Sequence, residues 1–123
     1  MLILIVEDNP VNLDLVMQLL EDDHDLLTAS DGLTGVEVTI QQRPQLVLLD
    51  LSLPKKSGWE VCLAIRQALG DQVMPIVALT AHAIKGDREK ALESGFDDYI
   101  TKPIDEDLLF ETVEKYLKQR QSS

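Results

Sequence analysis

The chain is constrained most by a repeated alternation, in which a short apolar run is followed by a longer segment of helical period. Leu2 to Val6 is a continuous apolar run that stops at Glu7-Asp8, as expected for a strand covered on both faces. Further strands are expected at Leu26 to Ala29, Gln45 to Leu49, Pro75 to Leu79 and Asp98 to Ile100. Between the first two, Asn9 supplies an N-cap and Pro10 a first helical residue, and Leu13, Val16, Met17 and Leu20 recur on one face. Asp31 caps a second helix carrying Leu33, Val36 and Ile40, which ends before Pro44. Cys62, Ile65 and Leu69 mark a third helix; a fourth, from about Ile84 to Ser94, has a thin apolar stripe and stops at Gly95. Asp105 caps a last helix with Leu109, Val113, Tyr116 and Leu117 on one side. Five strands alternating with five helices predict an α/β fold, a doubly wound parallel sheet with helices on both faces, because each crossover is right-handed and covers one face.

The 123 residues, 45% of them hydrophobic, suffice for one core and are too few for two, so residues 1–120 form the expected domain and 121–123 a short polar tail. A net charge of −11 argues against direct nucleic-acid binding, which needs clustered Lys and Arg. The single Cys62 forms no internal disulfide and fits a reducing compartment. Met1 to Val6 is too short for membrane insertion and lacks the parts of a signal peptide, so a soluble cytoplasmic protein is expected.

In an open α/β sheet the site lies at the carboxyl ends of the strands. There the sequence places Glu7 and Asp8 after the first strand, Asp50 after the third, Thr80 after the fourth and Lys102 after the fifth. Carboxylates held a few ångströms apart repel by about 4 kcal/mol per close pair at an effective dielectric of about 20, so a cation is expected among them. Oxygen ligands favour a hard ion such as Mg²⁺, and metal, ammonium and hydroxyl together suit the equatorial oxygens of a phosphoryl group.

Four blocks, "LIVEDNPVN", "LLDLSLPKKSG", "PIVALTAHA" and "GFDDYITKPI", in this order and at these spacings, resemble the receiver domains of two-component response regulators. The stretch "ALTAHAIKGDREKALESGFDDYITKPID" is similar to receivers of hybrid histidine kinases and single-domain receivers. The resemblance implies a flavodoxin-like strand order 2-1-3-4-5, as in the chemotaxis-regulator example of that fold. It also implies that Asp50 is the phosphoacceptor, a carboxylate nucleophile that takes a phosphoryl group from phosphohistidine. Asp8 then matches the direct Mg²⁺ ligand, Glu7 its acidic neighbour acting through metal-bound water, and Ser52 the position whose backbone carbonyl coordinates the metal. Lys102 matches the lysine that pairs with phosphoryl oxygens, before a cis bond to Pro103; Thr80 matches the switch hydroxyl and Tyr99 the aromatic that turns with it. Ser52 and His82 match positions that tune the lifetime of the acyl phosphate.

The implied function is a phosphorylation-dependent signalling switch that catalyses its own phosphoryl transfer and slow dephosphorylation without being a conventional turnover enzyme. Its expected partners are a histidine kinase or histidine phosphotransfer protein and a downstream protein target. The output surface is expected on the fourth helix, fifth strand and fifth helix, and partner docking on the first helix, whose outer face is read to include Asn12 and Leu15. Two alternatives share this fold and pattern, a phosphorelay shuttle to a histidine phosphotransfer domain and a phosphorylation-independent protein-binding module. A flavin module is disfavoured because Glu7-Asp8-Asn9 would repel a phosphate, and an aspartyl phosphatase because Ser52 stands where its second acid belongs. Taken singly, Asp50 could be a turn acid, Thr80 a strand end, Tyr99 a strand aromatic and Lys102 a solvated lysine; Trp59 and Cys62 read as packing residues and His24 as part of an exposed turn.

Overall fold

The computed structural model describes residues 2–53, 57–70, 74–80, 89 and 93–121. Strands β1 (Leu2–Val6), β2 (Asp25–Ala29), β3 (Leu46–Asp50), β4 (Ile76–Thr80) and β5 (Asp98–Thr101) form one parallel sheet in the order β2-β1-β3-β4-β5. The described helices are α1 (Pro10–Leu20), α2 (Gly32–Gln42), α3 (Gly58–Leu69) and α4 (Glu106–Gln121). The helix expected from Ile84 to Ser94 falls almost wholly outside the described residues, as does His82, so α4 is the last helix of the sequence reading. Among the described residues no helix is long and apolar enough to cross a membrane.

Burial explains which runs are unbroken. Every residue of β3 and β4 is buried, whereas the edge strands β2 and β5 are only partly covered. Alternate strand residues feed two cores: Ile3, Ile5, Leu48 and Leu79 pack with Val16 and Leu20 of α1 and Leu109 and Val113 of α4. On the other face, Leu4, Val6, Leu49 and Ala78 pack with Val61, Cys62 and Ile65 of α3 and with Val36 of α2. β3 and β4 each run one residue beyond their apolar stretch, because Asp50 still pairs with Leu79 and Thr80 with Thr101. The two polar side chains are thus fixed on the last rungs of the ladder.

Caps set the helix starts. Asn9 Oδ1 accepts from the amides of Val11 and Asn12 at 2.9 and 3.3 Å, with Pro10 behind it, an arrangement that stabilises a helix by about 1 kcal/mol. Asp31 accepts from Thr34 N at 2.8 Å to start α2, and Asp105 from Leu108 N at 3.1 Å to start α4.

Two expectations are corrected. Leu33 and Ile40 are exposed at 48% and 38%, and α2 instead buries Gly32, Gly35 and Thr39. A Cβ on Gly35 would lie 3.1 Å from both γ-carbons of Val6, so the helix lies against β1 through its small residues, with Val36 and Val38 beside them at the core and Leu33 and Ile40 turned outward. His24 is half-buried, because its turn folds back to donate His24 N to Leu20 O at 3.1 Å.

A buried clamp ties α3 to the approach of β5. Arg66 Nε and Nη2 donate to Gly95 O at 3.1 and 2.9 Å, Nη1 to Met74 O at 2.8 Å, and Nη2 to Asp97 Oδ2 at 2.8 Å. Asp97 Oδ2 also accepts from Ile76 N at 2.8 Å, and Tyr116 of α4 donates to Asp97 O at 2.8 Å. The start of β4, the start of β5 and two helices are thereby held at one place.

Candidate functional site: an acid pocket at the strand ends

Glu7 follows β1, Asp50 ends β3 and Lys102 follows β5, so the parallel order brings together residues distant in sequence. Lys102 Nζ donates to Glu7 Oε1 and Oε2 at 3.1 Å each and to Asp50 Oδ2 at 3.2 Å. Its backbone is tied as well, since Lys102 N donates to Thr80 O at 2.7 Å; the Lys102-Pro103 peptide is cis. Asp50 Oδ1 accepts from Ser52 N at 3.0 Å, so one oxygen is held by the local turn and the other faces the ammonium.

Glu7 and Asp50 are buried and Asp8 is exposed at the mouth, with one carboxylate oxygen of each within 4.8 Å of the others. Burial, reinforced by the nearby Asp50 carboxylate, pushes Glu7 up from 4.5 to about 7; Lys102 and Asn12 pull against that rise. Three carboxylates face one ammonium, which leaves negative charge over. An all-oxygen donor set of this kind fits a hard divalent cation.

The back of the pocket is tightly built. A Cβ on Gly58, the first residue of α3, would lie 2.4 Å from the Asp50 carbonyl oxygen, and Gly58 N donates to Leu51 O at 3.1 Å. Only glycine lets α3 start this close to the peptide that carries Asp50.

Of the residues singled out in the sequence, Glu7, Asp8, Asp50 and Lys102 meet directly. Ser52 is exposed and touches Asp50 through its amide, while Thr80 is buried one strand away. Tyr99 lies half-buried beside a groove of about 460 Å³ lined also by Thr101, Leu108, Glu111 and Lys115. Trp59 packs edge-on against Phe96 with centroids 5.6 Å apart. Cys62 is buried, which pushes its thiol up to about 11 and keeps it a packing residue. Asn12 does not belong to the outer face of α1: its Nδ2 donates to Glu7 Oε1 at 3.1 Å. Helical period alone could not find this contact, because Asn12 stands at the border between the buried and exposed faces.

Residues 3–114 match the response regulator receiver domain family. The chain belongs to that family. Receiver domains are the modules of two-component signalling that respond to phosphorylation. The chain is 38% identical over 133 residues to the hybrid signal transduction histidine kinase I of Dictyostelium discoideum, matching 98% of this chain and spanning 8% of that protein. It superposes with TM-score 0.86 and 35% identity on the receiver domain of the sensor histidine kinase PA1611 of Pseudomonas aeruginosa, covering 95% and 97% of the two chains. That structure has a magnesium ion coordinated in its active-site cleft. A third likeness, TM-score 0.87 with 31% identity over 94% of this chain and 88% of the other, is to a co-crystal structure from Saccharomyces cerevisiae. It contains the histidine phosphotransfer protein Ypd1 and the receiver domain of its downstream response regulator Ssk1.

Proposed function

We propose that Asp50 accepts a phosphoryl group from a phosphohistidine donor with Mg²⁺ in the acid pocket, and that the domain then controls a partner protein. The observation that carries this reading is the Lys102 ammonium held between Glu7 and Asp50, 3.1 and 3.2 Å away, with Asp8 open to solvent beside them.

In the transfer, an Asp50 carboxylate oxygen bonds to phosphorus as the phosphorus–nitrogen bond of the donor breaks. The electron pair of that bond returns to the imidazole, which takes up a proton from solvent. Asp8, Asp50 and the Ser52 carbonyl would hold the cation directly and Glu7 through water; once bound, Mg²⁺ supplies positive charge to the phosphoryl oxygens. Lys102 places its ammonium at the same oxygens. Thr80, buried at the end of β4, supplies a hydroxyl, and Tyr99 follows it inward. Ser52 and His82 tune the lifetime of the product.

The donor, a histidine kinase or phosphotransfer protein, docks on α1, where Val11 is 75% exposed and Leu15 lies one turn further along the same face. Output runs through β5 and α4 at the Tyr99 groove, together with the helix expected over residues 84–94, which falls almost wholly outside the described residues. Onward transfer to a histidine phosphotransfer protein is a second reading, supported by the likeness to the receiver solved with Ypd1. Both readings place the domain in the cytoplasm, where the free Cys62 would stay reduced.

The test is intact mass after incubation with a small phosphoryl donor and Mg²⁺. One phosphoryl adduct is expected on the parent, and none on Asp50→Asn or in EDTA. An adduct that persists on Asp50→Asn, or none on the parent under conditions that outrun hydrolysis, rejects the reading.

A further inference from the structure

We propose that Asn12 is a positioning residue of the acid pocket: its side-chain amide fixes the Glu7 carboxylate, and through it the share of Lys102 that Asp50 receives. The proposal rests on the phosphoryl-acceptor reading above. Glu7 is only 1% exposed, so solvent cannot satisfy its oxygens freely and protein donors must. Among the described residues it has two: Lys102 Nζ reaches both oxygens, and Asn12 Nδ2 reaches Oε1 at 3.1 Å. Without the amide, Oε1 would depend on the ammonium alone, and Lys102 would be drawn toward Glu7 and away from Asp50.

The residue is well placed and well chosen for this task. Asn12 lies in the first turn of α1, and its own amide is tied to the Asn9 cap at 3.3 Å, so the side chain projects from a fixed backbone. An unbroken series of contacts leads from the Asn9 cap through Asn12, Glu7 and Lys102 to Asp50. A neutral donor suits the position. An aspartate would add a fourth carboxylate, and a lysine or arginine would place a second cation where a metal is to bind. Partners that orient groups around a metal site change affinity or activity by about 10–100-fold when removed.

The experiment is calorimetric titration of Mg²⁺ into the full chain, comparing the parent with Asn12→Leu, which keeps roughly the size and is the better helix former, and Asn12→Gln, which keeps an amide. Urea denaturation in EDTA checks that each variant folds, with Asn12→Ala as a second donorless variant should leucine disturb α1. Asn12→Leu is expected to raise the Mg²⁺ Kd about tenfold, and Asn12→Gln to recover most of that loss. Phosphoryl transfer from a small donor should fall more at limiting than at saturating Mg²⁺. A folded Asn12→Leu whose Kd stays within about twofold of the parent overturns the proposal, and so does an equal loss in the leucine and glutamine variants. A parent that binds no Mg²⁺ overturns the pocket reading itself, and with it this inference, before any variant is compared.

Discussion

Arg66 and Lys102 are both long cations drawn into the interior against carboxylates, and they are held in opposite ways. The Arg66 guanidinium spends its donors on fixed acceptors, the carbonyls of Gly95 and Met74 and one oxygen of Asp97. Asp97 in turn takes a backbone amide from Ile76. Lys102 instead faces Glu7 and Asp50 with Asp8 nearby, three acids against one ammonium. The first arrangement matches one cation to fixed carbonyls and a single carboxylate, with no excess of negative charge, and holds structure. The second keeps charge in excess, which suits the further cation and phosphoryl group proposed above, so the balance of partners separates the two better than burial does.

The comparison can be broken most directly at the clamp. Arg66→Met should lower stability by about 3–4 kcal/mol, because carbonyls and a carboxylate lose their partner, and added Mg²⁺ should restore none of it in urea denaturation. Lys102→Met should cost about 2–3 kcal/mol in EDTA, and here Mg²⁺ should raise the denaturation midpoint of the variant more than that of the parent. Equal responses to Mg²⁺ in the two variants would erase the distinction. Gly58→Ala is expected to cost about 3 kcal/mol, because the new methyl meets the Asp50 carbonyl and the Leu51 backbone, and to slow phosphoryl acceptance in the mass assay. A smaller effect concerns Glu7 in metal-free protein. Its pKa is raised from 4.5 to about 7, so its contribution is fully present below pH 4.5 and is lost as pH rises through about 7. The parent should therefore lose stability relative to Glu7→Gln between those limits, measured by denaturation at a series of pH values.

The sheet and the acids were legible in the sequence because burial on both faces demands unbroken apolar runs, and a polar residue ending such a run marks the strand end. Asp50 and Lys102 stand out by that logic. Arg66 did not, since an arginine in the last turn of an amphipathic helix reads as solvated, and its acceptors come from Met74 and Gly95 to Asp97. The face of α2 was misread for a related reason: Gly35 and Thr39 pack closely by being small, which a search for large apolar residues passes over. Asn12 shows the limit of periodicity, which sorts faces but not the direction of a side chain at their border.

The order of strands also has a consequence for the chain as it is made. β1 and β3 bring Glu7 and Asp50 side by side in the sheet core, whereas Lys102 follows β5, the last strand to leave the ribosome, and β5 is held in turn by α4. A nascent chain that has emerged only through β4 carries the acids without the ammonium that neutralises them. The pocket is therefore complete only once β5 and Lys102 have been made, and a product truncated before them would hold the two buried carboxylates without their ammonium.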